Sequence, residues 1–355
     1  MQRTDESVTI IEKSAPPFPV PIGGFFALDE TGTGGLADLW QIDPGLAWEN
    51  ASSAFAALIA QIKPTAVWMP GFLCNHMAQA VPQSLRRYFR LTNEMEPDTA
   101  TMTAVAAGDL VLAVDYFGRC PGPRWREFVA GRPDVFFIED CAQSFDTGQS
   151  AWGDWRLYSP RKILGVPEGG LLVSHSVRAR QMAVRGPTDP SDPDLALQRL
   201  TPMKLRREQP RNNALWHPLH QQSEANGSVS YRAMAPDALA LLCSVDPLPI
   251  AERRRANFDY LKDRLGPFGL IQRPDTSFVP FGFPITLPAN DRGHVLTKMH
   301  QETVFAAIHW RDIAAPAPFA FEHSLSASTA TLPCDQRYDT ADMERICATF
   351  LGALT

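Results

Sequence analysis

This chain has no uninterrupted apolar run approaching the ~18 to 20 residues a helix needs to cross a bilayer. Its opening, MQRTDESVTIIEKSAPPFP, also lacks the unbroken apolar core of a secretory signal. No membrane partner and a cytoplasmic location are therefore expected. Six cysteines at 74, 120, 141, 243, 334 and 347 form no CxxC pair, which excludes a zinc-finger spacing and points to free thiols in a reducing compartment. Positive charge is not in excess either. A formal net charge of −6 argues against nucleic acid or anionic lipid as a partner. The one dense basic cluster, Arg253-Arg254-Arg255 within ERRRANFDYLKDRL, reads as the solvated face of an amphipathic helix. His217 and His220 have no recognisable third ligand, so no metal is expected. No repeat or low-complexity block is visible.

What remains is an ordinary globular composition, 45% hydrophobic and 20% charged, on 355 residues, which exceeds a usual single domain. Residues 1–45 carry Pro and Gly punctuation (PPFPVPIGG, TGTGG) and read as an extended N-terminal arm. Helical and strand patterns alternate from Ser53 to Ser174, the signature of a mainly parallel sheet covered by helices. Residues 46–235 are thus expected as a large domain. The polar, Pro-punctuated stretch from Arg178 to Gly227 reads as a helical or loop-rich excursion within it. Residues 236–355 are expected as a smaller α+β domain, entered through a long helix after Asp246-Pro247. Within it FVPFGFPITL and AAIHW read as strands and TADMERICATFL as the terminal helix.

The most informative segment is VFFIEDCAQSFDTGQSAWGDWRLYSPRKILGVPEGGLLVS, residues 135–174. An apolar strand ends in Glu139-Asp140, and strand C-termini are where open α/β sheets hold ligands. Gln143 follows, then Lys162 on a polar turn ahead of a second apolar strand. Singly, each has an ordinary reading as a helix cap or a solvated turn residue. Together they suit pyridoxal phosphate (PLP). A carboxylate beside the ring nitrogen keeps it protonated, an amide can meet the ring oxygen, and a lysine can bond the aldehyde and carry protons. Asp140, Gln143 and Lys162 are the candidates for these tasks.

The segment resembles the DegT/DnrJ/StrS family, PLP-dependent sugar aminotransferases of fold type I. That family's strand ends in Glu-Asp-x-Ala-His/Gln, followed by Gly-Asp, a Ser-Phe segment, the Schiff-base lysine and acid-Gly-Gly. The chain has Glu139-Asp140-Cys141-Ala142-Gln143, Gly153-Asp154, Ser159, Lys162 and Glu168-Gly169-Gly170 in that order. The resemblance implies that Asp140 pairs with the pyridinium, Gln143 meets the ring oxygen, Lys162 is the Schiff-base lysine and Ser159 holds phosphate. One departure is plain. Ser159 stands three residues before Lys162, where the family spaces serine and lysine by five, and the fifth position back is Leu157.

The likeness extends over roughly residues 20–350. Ala51-Ser52-Ser53 stands where the family opens a helix on phosphate, so Ser52 and Ser53 are implied cofactor contacts. Met69-Pro70-Gly71-Phe72-Leu73-Cys74 resembles a turn that lies against the cofactor ring, with Phe72 or Cys74 as the contact. Ser230-Tyr231-Arg232 resembles a loop that reaches into a neighbouring subunit. Ser230 stands there in place of Asn, with Asn226 nearby to compensate, and Arg232 is on the substrate side. His309 matches another substrate-side position. The fold implied is aspartate aminotransferase-like, with a mainly parallel seven-stranded sheet in the large domain. The function implied is transfer of an amino group from an amino acid, glutamate by preference, to a keto-sugar that can be nucleotide-linked, by a homodimer with shared active sites. The alternatives are a fold-type I lyase, dehydratase or acyl-transfer enzyme, and a non-catalytic regulatory or binding relative.

Overall fold

The computed structural model describes residues 19–145, 151–225, 228–271 and 278–355. Its centre is one seven-stranded sheet. The strands are β2 (Ala47–Trp48), β3 (Val67–Pro70), β4 (Arg86–Phe89), β5 (Leu110–Val114), β6 (Phe136–Asp140), β7 (Trp155–Tyr158) and β8 (Gly170–Ser174). In space they run β2-β8-β7-β6-β5-β3-β4. Pairing is parallel from β7 across to β4, and antiparallel only where β8 meets β7 and β2. Strand β5, LVLAV, is buried along its whole length, as a parallel strand covered on both faces must be.

The longer helices start where their sequences say they should. Helix α1 (Ala51–Ile62) is capped by Asn50, whose Oδ1 accepts from the Ser53 amide. Helices α2 (Pro193–Glu208) and α4 (Pro247–Leu265) both open on an Asp cap followed by Pro at the first position. The expected excursion is an antiparallel pair, α2 and α3 (Asn213–Ala225). Pro218 lies inside α3 and does not end it, because a missing N–H costs one intrahelical bond without forcing termination.

A second core gathers Phe258, Leu261 and Leu265 of α4 with helices α5 (Ala289–Gln301) and α6 (Thr340–Ala353). It is closed by the antiparallel pair β9 (Phe283–Thr286) and β11 (Thr329–Leu332). The strand expected over AAIHW is displaced: β10 covers Val304–Phe305. Beyond it, Ala307 only bridges Thr331. Trp310 turns the chain with a φ of 52°, which no strand accommodates.

Part of the arm is stitched to both halves. Strand β1 (Ile22–Gly23) pairs with β10, Ile22 opposite Val304 and Gly23 opposite Phe305. Gly23 has φ 90°, and a Cβ there would stand 2.1 Å from the Phe305 carbonyl oxygen, so only glycine fits. Its amide donates to the Tyr338 hydroxyl at 2.6 Å, and its carbonyl accepts from Arg206 Nη2 of α2 at 2.6 Å.

The basic cluster corrects the reading of α4. Arg253 is exposed, Arg255 is half-buried and Arg254 is wholly buried. Arg254 donates to the carbonyls of Ile163, Pro280 and Phe281 and to Gln336 Oε1, at 2.8 to 3.1 Å. It belongs to the helix's inward stripe of Pro247, Ala251, Phe258, Leu261 and Leu265.

Candidate active site

Strands β6 and β7 are parallel neighbours with Asp140 opposite Leu157. Their C-terminal ends therefore leave the sheet side by side. Asp140 closes β6 and Lys162 ends the 3-10 turn that follows β7. Asp140 is buried, and its Oδ1 accepts from the Ala142 amide at 2.9 Å. Burial raises its carboxyl above the usual range, opposed by the nearby Lys162 ammonium and by that amide. Gln143 is buried too, its Oε1 accepting from the Phe117 amide at 2.9 Å.

Two cavities open on Lys162. The larger, about 610 Å³, runs from Lys162 past Cys74 and His76 to Asn50, Ala51 and Ser52 at the N-terminus of α1. The smaller, about 340 Å³, runs from Lys162 and Gln143 to Gly23 and Phe25 of the arm and to Arg337. Both share the wall formed by Arg161, Arg199, Glu224, His309 and Trp310. Asp140 lines neither cavity and sits in the packed protein beside them.

The remaining expected site residues divide. Ser159 and Ser52 line the larger cavity, the one that reaches the N-terminus of α1 where phosphate is expected. Ser53 is buried and committed elsewhere: its hydroxyl donates to Asn50 Oδ1 at 3.0 Å and accepts from the Ser230 amide at 3.0 Å. Ser230 donates its own hydroxyl to Glu49 Oε1 at 2.6 Å. These two serines tie the 228–232 loop to α1 within one chain. Asn226 lies outside the described residues. Cys74 lines the larger cavity, whereas Phe72 is a core residue stacked on Tyr116 and edge-on to Trp310. Arg232 lines neither cavity and stands 3.9 Å from both Glu49 and Asp192. His309 lines both. Its Nε2 is shut off from solvent with no hydrogen-bond partner among the described residues, and burial together with Lys162 lowers the ring from 6.5 to about 4.

Other site residues escaped the sequence reading. Arg161 and Glu224 form an ion pair of 2.7 Å across the wall the cavities share. Arg199 of α2 joins Glu168 at 2.5 Å and Glu49 at 3.3 Å. Glu168 also accepts the Ala235 amide at 2.6 Å, so the acid of the Glu-Gly-Gly run is a structural clasp. Arg199 and Glu224 come from the α2–α3 pair, a region without any recognisable site motif. The polar residue nearest to a usable signal was Asn50, one position before a helical run, where a cap is expected.

This arrangement was compared with known proteins. No protein-family model matches the chain, and no curated protein does. Solved structures do match. A DegT DnrJ EryC1 StrS aminotransferase from Brucella abortus is 15% identical with a TM-score of 0.62, over 89% of this chain and 87% of that one. The chain has fold type I. The sugar aminotransferase CalS13 from Micromonospora echinospora aligns over 94% of this chain and 99% of its own, with 13% identity and a TM-score of 0.62. The Bacillus subtilis protein ntda, solved with bound cofactor PMP, aligns over 92% and 78%, with 13% identity and a TM-score of 0.60. At these identities the likeness is one of fold, and it spans the sheet, the helical pair and the second core together.

Proposed function

We propose that this protein is a PLP-dependent aminotransferase of the DegT/DnrJ/StrS type. The carrying observation is the convergence of Asp140 and Lys162 from adjacent strand ends beside a cavity of about 610 Å³, in a fold shared with enzymes described as aminotransferases. The residues present fit the cofactor. A buried carboxyl whose ionised form is disfavoured gains most from a ring cation placed beside it. The N-terminus of α1, with Asn50 and Ser52 on the cavity wall, offers backbone donors and a hydroxyl to a phosphate. His309 Nε2, buried and unpartnered, is an acceptor or donor awaiting a bound group. When bound, PLP supplies the electron sink and the aldehyde that carries the amino group.

The chain's own residues then have definite tasks. Asp140 would hold the proton on the ring nitrogen, and Gln143, bonded to the Phe117 amide, would shape the wall on the ring side. Lys162 would bond the cofactor's aldehyde and, with its amine freed, would carry the proton that the reacting carbon gives up and takes back. The exchange is balanced without an outside oxidant. The donor loses its C–N and C–H bonds and becomes a 2-oxo acid, while the acceptor's carbonyl carbon loses C=O and gains C–N and C–H. Glutamate is the preferred donor and a keto-sugar the preferred acceptor class, following the likeness in fold to CalS13. A homodimer sharing its sites remains part of this reading.

Borohydride reduction of the PLP-supplied protein, followed by peptide mapping, tests it. Pyridoxyl label on Lys162, absent from Lys162→Ala, is the expected result. Label on another lysine, or none, would remove the catalytic reading and favour a non-catalytic binding role.

A further inference from the structure

The smaller cavity is unlike the larger one. Its wall is carried by Phe25, Phe26, Phe281 and Phe305, with Met203 and Leu332 between them. Apart from Lys162, which the reaction itself uses, its cations are arginines that are already matched. Arg337 grips Asp335 through two bonds of 2.7 and 2.9 Å and gives further donors to the carbonyls of Phe25 and Gly24, at 3.0 and 3.3 Å. Arg161 is paired with Glu224, and Arg199 with Glu168 and Glu49. A diphosphate needs donors that converge on it and positive charge that is not already neutralised. Among the described residues, each arginine on this wall faces a carboxylate instead.

Two polar atoms on residues of the same wall are buried and have no partner among the described residues: His309 Nε2 and Thr331 Oγ1. Buried polar groups are rarely left unmade, and these two belong to residues that line the cavity shared with Lys162. A small rotation of either side chain would bring its polar atom to a hydroxyl or carbonyl oxygen of a ligand whose bulk is apolar.

We propose that the smaller cavity is the acceptor lobe and that it takes an uncharged, phosphate-free carbonyl compound, with an apolar face against Phe281 and Phe305 and an oxygen for His309 and Thr331. This rests on the aminotransferase reading for the reaction and not for the binding. It separates the acceptor from nucleotide-linked sugars. The amino-group exchange itself is the balanced one given above.

Binding is measured first, on the full chain without cofactor, by calorimetry. The probes are 1-phenyl-1,2-ethanediol, an unreactive analogue of a hydroxyketone, and thymidine diphosphate. The diol is expected to bind, and to bind about tenfold more weakly to Phe281→Ala, with His309→Asn as a second variant that keeps the lobe's volume. Thymidine diphosphate is expected not to compete. Turnover is measured next, on the PLP-loaded protein with glutamate as donor. 2-Hydroxyacetophenone is expected to exceed a thymidine-diphosphate 4-keto-6-deoxyhexose at least tenfold in kcat/KM. If thymidine diphosphate displaces the diol, or the nucleotide-linked ketone is the better acceptor, the inference is overturned, including where a second copy of the chain supplies the missing cations. If neither variant weakens the diol, or the diol does not bind, the lobe assignment is overturned. Failure of every amino donor to release a 2-oxo acid would instead overturn the aminotransferase reading while leaving the binding result intact.

Discussion

Replacing Arg254 by Met should destabilise the protein far more than replacing its neighbour Arg253 by Ala. Arg254 is fully buried in α4 and supplies the donors for the Ile163, Pro280 and Phe281 carbonyls and for Gln336 Oε1. Methionine keeps most of the apolar stem, so the loss is chiefly of hydrogen bonds. Ile163 retains a second donor, Gln336 Nε2 at 3.0 Å, which leaves two carbonyls and one amide oxygen stranded. At about 1–3 kcal/mol for each stranded acceptor, and with some recovery from no longer burying a cation, a net loss of about 3 kcal/mol is expected. Arg253→Ala, on the exposed face, should change stability by about 0.5 kcal/mol or less. Urea unfolding followed by tryptophan fluorescence would show a large drop in midpoint for the first variant and almost none for the second. A loss below about 1 kcal/mol in Arg254→Met, or equal losses in the two variants, would refute the argument that this arginine fastens the segment after Lys162 to the second core.

Other outcomes follow from the same contacts. His309 and His220 are both lowered from 6.5 to about 4, chiefly by burial, so the folded protein binds fewer protons there than the unfolded chain. Stability they contribute is present above pH 6.5 and lost as pH falls through about 4, by at most about 3 kcal/mol for each ring. His309→Asn should flatten the pH dependence of the unfolding midpoint across that window in the cofactor-free protein, and an unchanged slope would show that the ring titrates normally. Native alkylation should spare Cys141, buried with its thiol raised by burial and by Glu139, and PLP should shield Cys74 on the cavity wall. Modification of Cys141 before unfolding, or of Cys74 equally with and without PLP, would contradict the placement of these thiols. Gly23→Ala should cost at least about 2 kcal/mol, because φ 90° and the Phe305 carbonyl both oppose a Cβ. A midpoint within error of wild type would mean that β1 is not paired as described.

What could be read from the chain depended on how local its cause was. The mainly parallel sheet was legible because buried strands and their covering helices write themselves as apolar runs and periodic segments within a few residues, whereas the count of seven strands came from the family resemblance. The neighbourhood of Asp140 and Lys162 was legible for the same reason, since both hang from adjacent strand ends. Arg254 was misread as part of a basic cluster, although its spacing already put it on the stripe of residues 247, 251, 258, 261 and 265. The residue type outweighed the period. Ser53 and Ser230 could not have been separated from cofactor contacts by sequence, because each is engaged by a partner 177 or 181 residues away. Phe72 and Cys74 differ only in which side of a short turn they face.

The stitching of Gly23 also bears on binding. Its amide is held by Tyr338 and its carbonyl by Arg206, so a single residue spans the boundary between the second core and the α2 helix. Swinging the two bodies apart would have to break buried hydrogen bonds on one side or the other. The wall formed by Phe25 and Phe26 is therefore built before any ligand arrives, and little of the binding free energy need be spent on assembling it.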